Sequence, residues 1–230
     1  MFQLDARKAD RVTASGAGAP VGVPETPDVV IGNLTNKYSA KNPAIRYLTQ
    51  RWVGVLEQMI ERIAAERPGD RRPLEVGAGE GVISAKLHRR FGNCVGLDLP
   101  DAGLRAQWRD RPGPHYLHAD ASHLPFADDR FDVIVCVEVL EHLTFPEAGL
   151  REITRVGTGD LLLSVPREPI FRAGNLFTGR YVRDLGNTPG HLNHWSKRSF
   201  VDFVSRMATV RAVATPFPWT VVWAQLDGPA

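Results

Sequence analysis

The sequence has very little cysteine, two residues in 230. Cys94 and Cys136 lie in the apolar stretches NCVGLDL and VIVCVEV, which read as buried strands, so neither a disulfide framework nor a cysteine-based zinc site is expected. Long hydrophobic runs are also missing. No stretch approaches the roughly 18 uninterrupted apolar residues that cross a bilayer. The opening MFQLDARKADR has no apolar signal core, so a soluble, cytoplasmic protein is expected. There is no strong excess of one charge: 28 Lys+Arg against 26 Asp+Glu leave a net +2. That is too small for bulk attraction to nucleic acid, although 23 of the 28 cations are Arg, which permits an anionic partner without implying one. What is present, 43% hydrophobic residues, is enough to bury the core of one ordinary domain.

Residues 1–30 include ASGAGAPVGVPETP, which has neither helical nor strand periodicity, and are expected to be a flexible lead-in to a domain over 31–230. Asn42 is a good N-cap and Pro43 suits the first helical position. Ile45, Leu48, Trp52, Val55, Met59 and Ile63 then recur at helical spacing until Arg67-Pro68-Gly69. Beyond it, short apolar runs alternate with helical segments: RPLEVGA, a helix over 82–91, CVGLDL, a helix near Leu104, HYLHADA, FDVIVCV, a helix over 146–156, and DLLLSVP. Such alternation predicts a parallel sheet covered on both faces. A long irregular stretch over 167–195, a helix in SKRSFVDFVSRM and a terminal hairpin of TVRAVATPF and WTVVWAQL complete the expected scaffold.

The segment Leu74-Glu-Val-Gly77-Ala78-Gly79-Glu-Gly81 ends a strand and opens a helix. Its glycines let the backbone turn tightly and approach a ligand, or else they merely make the turn. Asp98 ends the next strand about 20 residues later, where a carboxylate can accept from both ribose hydroxyls of a nucleotide-like cofactor. NAD and S-adenosylmethionine (SAM) both satisfy these two features. After the third strand the chain reads Ala119-Asp120-Ala121, then SHLPFADDRFDVIVCVEVLEHL. From residue 72 to 166 this ordered series resembles the class I SAM-dependent methyltransferases. That resemblance implies a Rossmann-like α/β fold with a seven-stranded, mostly parallel sheet whose last strand is antiparallel. It also implies that Gly77, Ala78, Gly79 and Gly81 line the methionine part of SAM, that Asp98 holds the ribose, and that Asp120 and Ala121 address the adenine. Glu75 either contacts the cofactor ammonium or organises the glycine loop.

Methyl transfer from a sulfonium is an in-line displacement, so alignment, water exclusion and deprotonation of the acceptor are the protein's tasks. After the fourth strand, Glu138-Val-Leu-Glu141-His142 places three polar groups at spacings of three and four. A second cluster, His191-Leu-Asn-His194-Trp195, precedes the last helix. Such a donor set suits Mg²⁺ or Mn²⁺ better than zinc. Alternatively, Glu141 and His142 only fix the loop after the strand, as in class I methyltransferases that bind no metal. E-x-x-E-H is similar to the metal motif of ubiquinone-pathway O-methyltransferases and of the Hen-type small-RNA 2′-O-methyltransferases, where a further metal histidine precedes a tryptophan by four residues. This resemblance implies Glu138, Glu141, His142 and His191 as ligands, with His142 or His194 as the general base.

The 167–195 stretch interleaves Arg167, Arg172, Arg180 and Arg183 with Phe171, Phe177, Tyr181 and Trp195. It reads either as a lid over a partly anionic, partly apolar acceptor or as an amphipathic helix with its arginines in solvent. It also resembles that of bacterial methyltransferases associated with glycosyltransferase-type pathways. The expected function is SAM-dependent O-methylation of a small-molecule, glycan or lipid-linked acceptor. The alternatives are an RNA 2′-O-methyltransferase, disfavoured by the absence of a basic module, and a SAM-binding protein without transferase activity.

Overall fold

The structure, a computed structural model, describes residues 42–177 and 181–226. The expected lead-in and Arg180 lie outside the described residues. The Asn42 side chain accepts from the Ala44 and Ile45 N–H groups and starts α1 (Pro43–Glu66), which buries Trp52, Leu56, Ile60 and Ile63. There follow β1 (Pro73–Val76), α2 (Val82–Phe91), β2 (Val95–Asp98), α3 (Ala102–Arg109), β3 (His115–His118), β4 (Phe131–Val137), α4 (Pro146–Val156) and β5 (Gly157–Pro166). The chain continues through α5 (Ile170–Phe177), α6 (Lys197–Val204), β6 (Thr209–Ala214) and β7 (Trp219–Gln225).

The strands form one seven-stranded sheet in the order β3-β2-β1-β4-β5-β7-β6. β1 to β5 pair in parallel, while β7 runs antiparallel to both β5 and β6, which leaves β6 parallel to the rest. The hairpin therefore enters the sheet with β7 inside and β6 at the edge. The period of two sorts the core. Val133, Val135 and Val137 of β4 pack beneath α1 and α2, whereas Ile134 and Cys136 join Leu150 and Ile153 of α4 on the other face. Cys94 and Cys136 are both buried thiols, Cys94 lying one residue ahead of β2.

Two features of the insertion bear on the two readings of it. Its irregular stretch contains the eight-residue helix α5 and a 3-10 turn over Val182–Asp184. It is also tied to the body: the Leu192 and Asn193 N–H groups donate to the Glu141 carbonyl, at 2.8 and 3.0 Å.

Strand order reverses between β1 and β4, and the crevice at the carboxyl ends of those strands is where open α/β sheets bind ligands. The opposite edge is closed by a buried ion-pair network. Arg71 meets Asp132 and Asp160 at 2.9 Å each, and Trp223 Nε1 donates to Asp160 at 2.9 Å.

Candidate active site

The glycine loop leaves β1 at this crevice. Gly77 has φ +79°, and a Cβ there would lie 2.1 Å from Val139 Cγ2; Gly81 has φ +78°, and a Cβ would lie 2.3 Å from the Tyr116 hydroxyl. Both positions therefore require glycine. The Gly77 and Ala78 N–H groups donate to the Leu97 carbonyl, at 2.9 and 2.8 Å. One Asp98 oxygen accepts from Gly79 N–H at 2.7 Å and the other from Leu99 N–H at 2.8 Å, which fixes the carboxylate at the tip of β2. Burial holds its pKa above the usual range, against the lowering effect of those two bonds.

Three side chains that motif spacing did not single out brace the loop from behind. Trp108 Nε1 donates to the Gly79 carbonyl at 2.8 Å, Arg111 Nη1 to Glu80 at 2.7 Å, and the Tyr116 hydroxyl to Gly81 at 3.4 Å. Trp108 stacks on Tyr116 with centroids 4.8 Å apart. The one sequence signal for this arrangement is the Leu104/Trp108 spacing on α3. Glu75 is 1% exposed and accepts from the Ser84 hydroxyl of α2. Burial pushes its carboxyl up to about 8, partly offset by the Ser84 bonds. Asp120, at the end of β3, is exposed and accepts from Ser122 N–H at 2.7 Å, while Ala121 beside it is buried.

On the acceptor side, β4 is followed by Glu138, whose φ of +60° turns the chain into a 3-10 helix over Leu140–His142. Ligand atoms of Glu141, His142 and His191 all lie within 4.8 Å of one another. His142 Nδ1 meets the Gly190 carbonyl at 2.8 Å; a carbonyl only accepts, so Nδ1 carries a proton, and in the neutral ring Nε2 is the nitrogen that can accept one. The two imidazoles are 4.9 Å apart between centroids, and Phe171 lies 5.7 Å from His191. Glu138 stands outside this group, its Oε2 accepting from Trp219 Nε1 at 2.9 Å. His194 is also outside; it is exposed, with Nε2 2.8 Å from Asn187 Oδ1.

The spacing within the trio suits a divalent ion after small side-chain rotations, since ligands about 2.1 Å from Mg²⁺ are roughly 3 Å apart at right angles and about 4.2 Å apart across the ion. Two imidazoles and a carboxylate are an equally good set for binding and moving a proton. In the insertion, Arg172 Nε donates to the Leu185 carbonyl at 3.2 Å and Arg183 is exposed. Phe171 packs toward Trp219, which stacks on Trp52 at 5.2 Å, so an aromatic wall adjoins the trio.

Residues 74–160 match a family described as a methyltransferase domain. Among curated relatives, the ubiquinone/menaquinone biosynthesis C-methyltransferase UbiE of Stenotrophomonas maltophilia (strain K279a) is 37% identical over 102 residues, 40% of this chain and 40% of that protein. The demethylmenaquinone methyltransferase of Roseiflexus sp. (strain RS-1) is 36% identical over 123 residues, 49% of this chain and 51% of the relative. The chain thus spans about half or less of the length of these relatives. Magnesium protoporphyrin IX methyltransferase of Synechocystis PCC 6803, solved with bound S-adenosylhomocysteine, superposes with a TM-score of 0.61 at 16% identity over 83% of this chain and 91% of that one. At that identity the likeness is one of fold.

Proposed function

We propose that this chain, which carries the domain of the class I SAM-dependent methyltransferases, transfers the methyl group of SAM to the hydroxyl oxygen of a small aromatic acceptor of the quinol type. The observation that supports this most is the convergence of Glu141, His142 and His191 at the strand-order reversal, on the segment whose Val139 packs over Gly77. In this reading Gly77 to Gly81 cradle the methionine part, Asp98 holds the ribose, Asp120 and Ala121 meet the adenine, and Glu75 organises the loop through Ser84.

The acceptor hydroxyl gives its proton to His142 Nε2, and the oxygen lone pair forms a bond to the methyl carbon as the carbon–sulfur bond breaks. The sulfonium leaves as a neutral thioether. Phe171 and Trp219 hold the aromatic ring and exclude water. Alternatively, Glu141, His142 and His191 would hold Mg²⁺ or Mn²⁺, in which case His142 Nε2 is a ligand and not the base. A cation bound there supplies a lowered pKa for the acceptor hydroxyl.

A second reading, transfer to ring carbon, is favoured by the Stenotrophomonas maltophilia relative, which is a C-methyltransferase by name. A deprotonated phenol is nucleophilic at both oxygen and the adjacent carbon, so the same base serves either outcome. Methyl-labelled SAM and a demethylated quinol separate them: a methoxy product supports the first reading, a ring methyl the second, and no product with quinols removes both. His142→Gln should lower kcat by about 10²–10⁴-fold, with cofactor affinity unchanged. Calorimetric titration of Mn²⁺ into the chelator-treated chain tests the ion separately, since binding lost in His191→Ala supports the trio and binding kept there excludes it.

A further inference from the structure

The large hydrophobic side chains left exposed among the described residues are Tyr47, Phe145, Leu176, Leu185, Leu192 and Phe217. They come from four separate parts of the sequence, yet the topology brings all six to one end of the molecule. Tyr47 is in the first turns of α1, whose Trp52 bonds Ser164 near the carboxyl end of β5 and whose Glu66 pairs with Arg211 at the far end. Phe145 caps α4 just after β4. Leu176, Leu185 and Leu192 ride on the insertion that follows β5. Phe217 is in the turn between β6 and β7, where Pro218 accepts from Arg167 N–H at 2.8 Å.

The opposite edge is built differently, its exposed positions including Arg67, Asp70, Asp129, Arg130 and Arg206. Isolated exposed hydrophobics are ordinary on a protein surface, but their confinement to one end is not. The same end carries the exposed cations Arg46, Arg51, Arg183 and Lys197, with Asp120 and Asp184 as exposed counter-charges. Apolar side chains ringed by Arg and Lys are the composition of a surface that sits in the headgroup region of a bilayer and is attracted by anionic lipid. No helix among the described residues is long and apolar enough to cross one.

We propose that this end of the molecule, the rim around the candidate active site, is a docking surface for an anionic lipid bilayer. Docked in this way, the crevice between β1 and β4 faces the membrane, and an apolar acceptor enters it without crossing water. The docking is independent of which atom is methylated, because it is read with no turnover.

The test uses the full chain with vesicles of phosphatidylglycerol and phosphatidylethanolamine, against vesicles of phosphatidylcholine alone. The chain should sediment with the anionic vesicles and be released by salt. The triple variant Phe145→Ser, Leu185→Ser, Phe217→Ser should bind at least about tenfold more weakly, since apolar area is withdrawn from the acyl boundary. Its circular dichroism and S-adenosylhomocysteine affinity should be unchanged, and Arg130→Ser on the opposite edge should bind vesicles normally. A chain that ignores both vesicle types, a triple variant that folds and binds them as before, or an Arg130→Ser variant weakened equally would overturn the assignment. Self-association with no vesicle binding would also overturn it, by giving the face to a second copy.

Discussion

Glu75 shows how much one side chain can be asked to do in this site. Its neighbours in β1, Leu74 and Val76, face the α4 side of the sheet, so Glu75 faces α2, where Ser84 is the partner within reach. With its carboxyl pushed up to about 8 from an ordinary 4.5, the folded chain binds a proton there that the unfolded chain releases. Between those two values stability must fall as pH rises, because the native state holds more protons than the unfolded one. This is the reverse of the usual salt-bridged carboxylate. The contribution is on the order of 5 kcal/mol, and Glu75→Gln should flatten the decline in urea-unfolding free energy over that window. An unaltered pH dependence in the variant would show that Glu75 ionises normally. Gly77 belongs to the same story, since the space a Cβ would need is filled by Val139 from the loop that leads into the Glu141–His142–His191 group.

Elements differ in how openly the sequence announces them. α1 was legible at both ends because an N-cap, a proline at the first position and Pro68-Gly69 are local signals, and α2 and α4 match their expected spans for similar reasons. α5 was legible only as one of two readings of its stretch: eight residues containing Gly174 and Asn175 carry little helical propensity, and what holds them is remote, Asn175 donating to the Gly186 carbonyl at 2.8 Å. The place of β7 between β5 and β6 is likewise a fact of pairing, invisible in an alternation that any hydrophobic strand shares. The glycine loop and Asp98 could be found by spacing, whereas Trp108 and Arg111 could not, since their donors reach the loop only after α3 has docked. At the far edge, Arg71 is 6% exposed and Asp160 3%. Arg71→Met should cost about 3–5 kcal/mol in denaturant unfolding by stranding a buried carboxylate. The folded fraction should bind S-adenosylhomocysteine normally, because this network lies across the sheet from the crevice.

At the scale of the whole molecule the sheet separates two kinds of work. One edge is sealed by charge pairs and aromatic donors, while the other gathers the glycine loop, Asp98, Asp120, the histidine–glutamate group and the apolar rim. The fold could be anticipated because ordered motifs from residue 72 to 166 constrain the sheet. The acceptor half was less open to inference, since Glu138 and His194, both expected near the chemistry from the resemblance, take Trp219 and Asn187 as partners. The central claim is that the carboxyl edge of β1 to β3 holds SAM through the glycine loop and Asp98. Calorimetric titration of S-adenosylhomocysteine into the wild-type chain and Asp98→Ala, with NAD as the competing ligand, tests it most directly. The account predicts saturable one-to-one binding by the wild type, a loss of about 1–3 kcal/mol in Asp98→Ala as charge-assisted bonds to the ribose disappear, and no heat from NAD. Equal affinity in the two chains, or binding of NAD in place of S-adenosylhomocysteine, would contradict it.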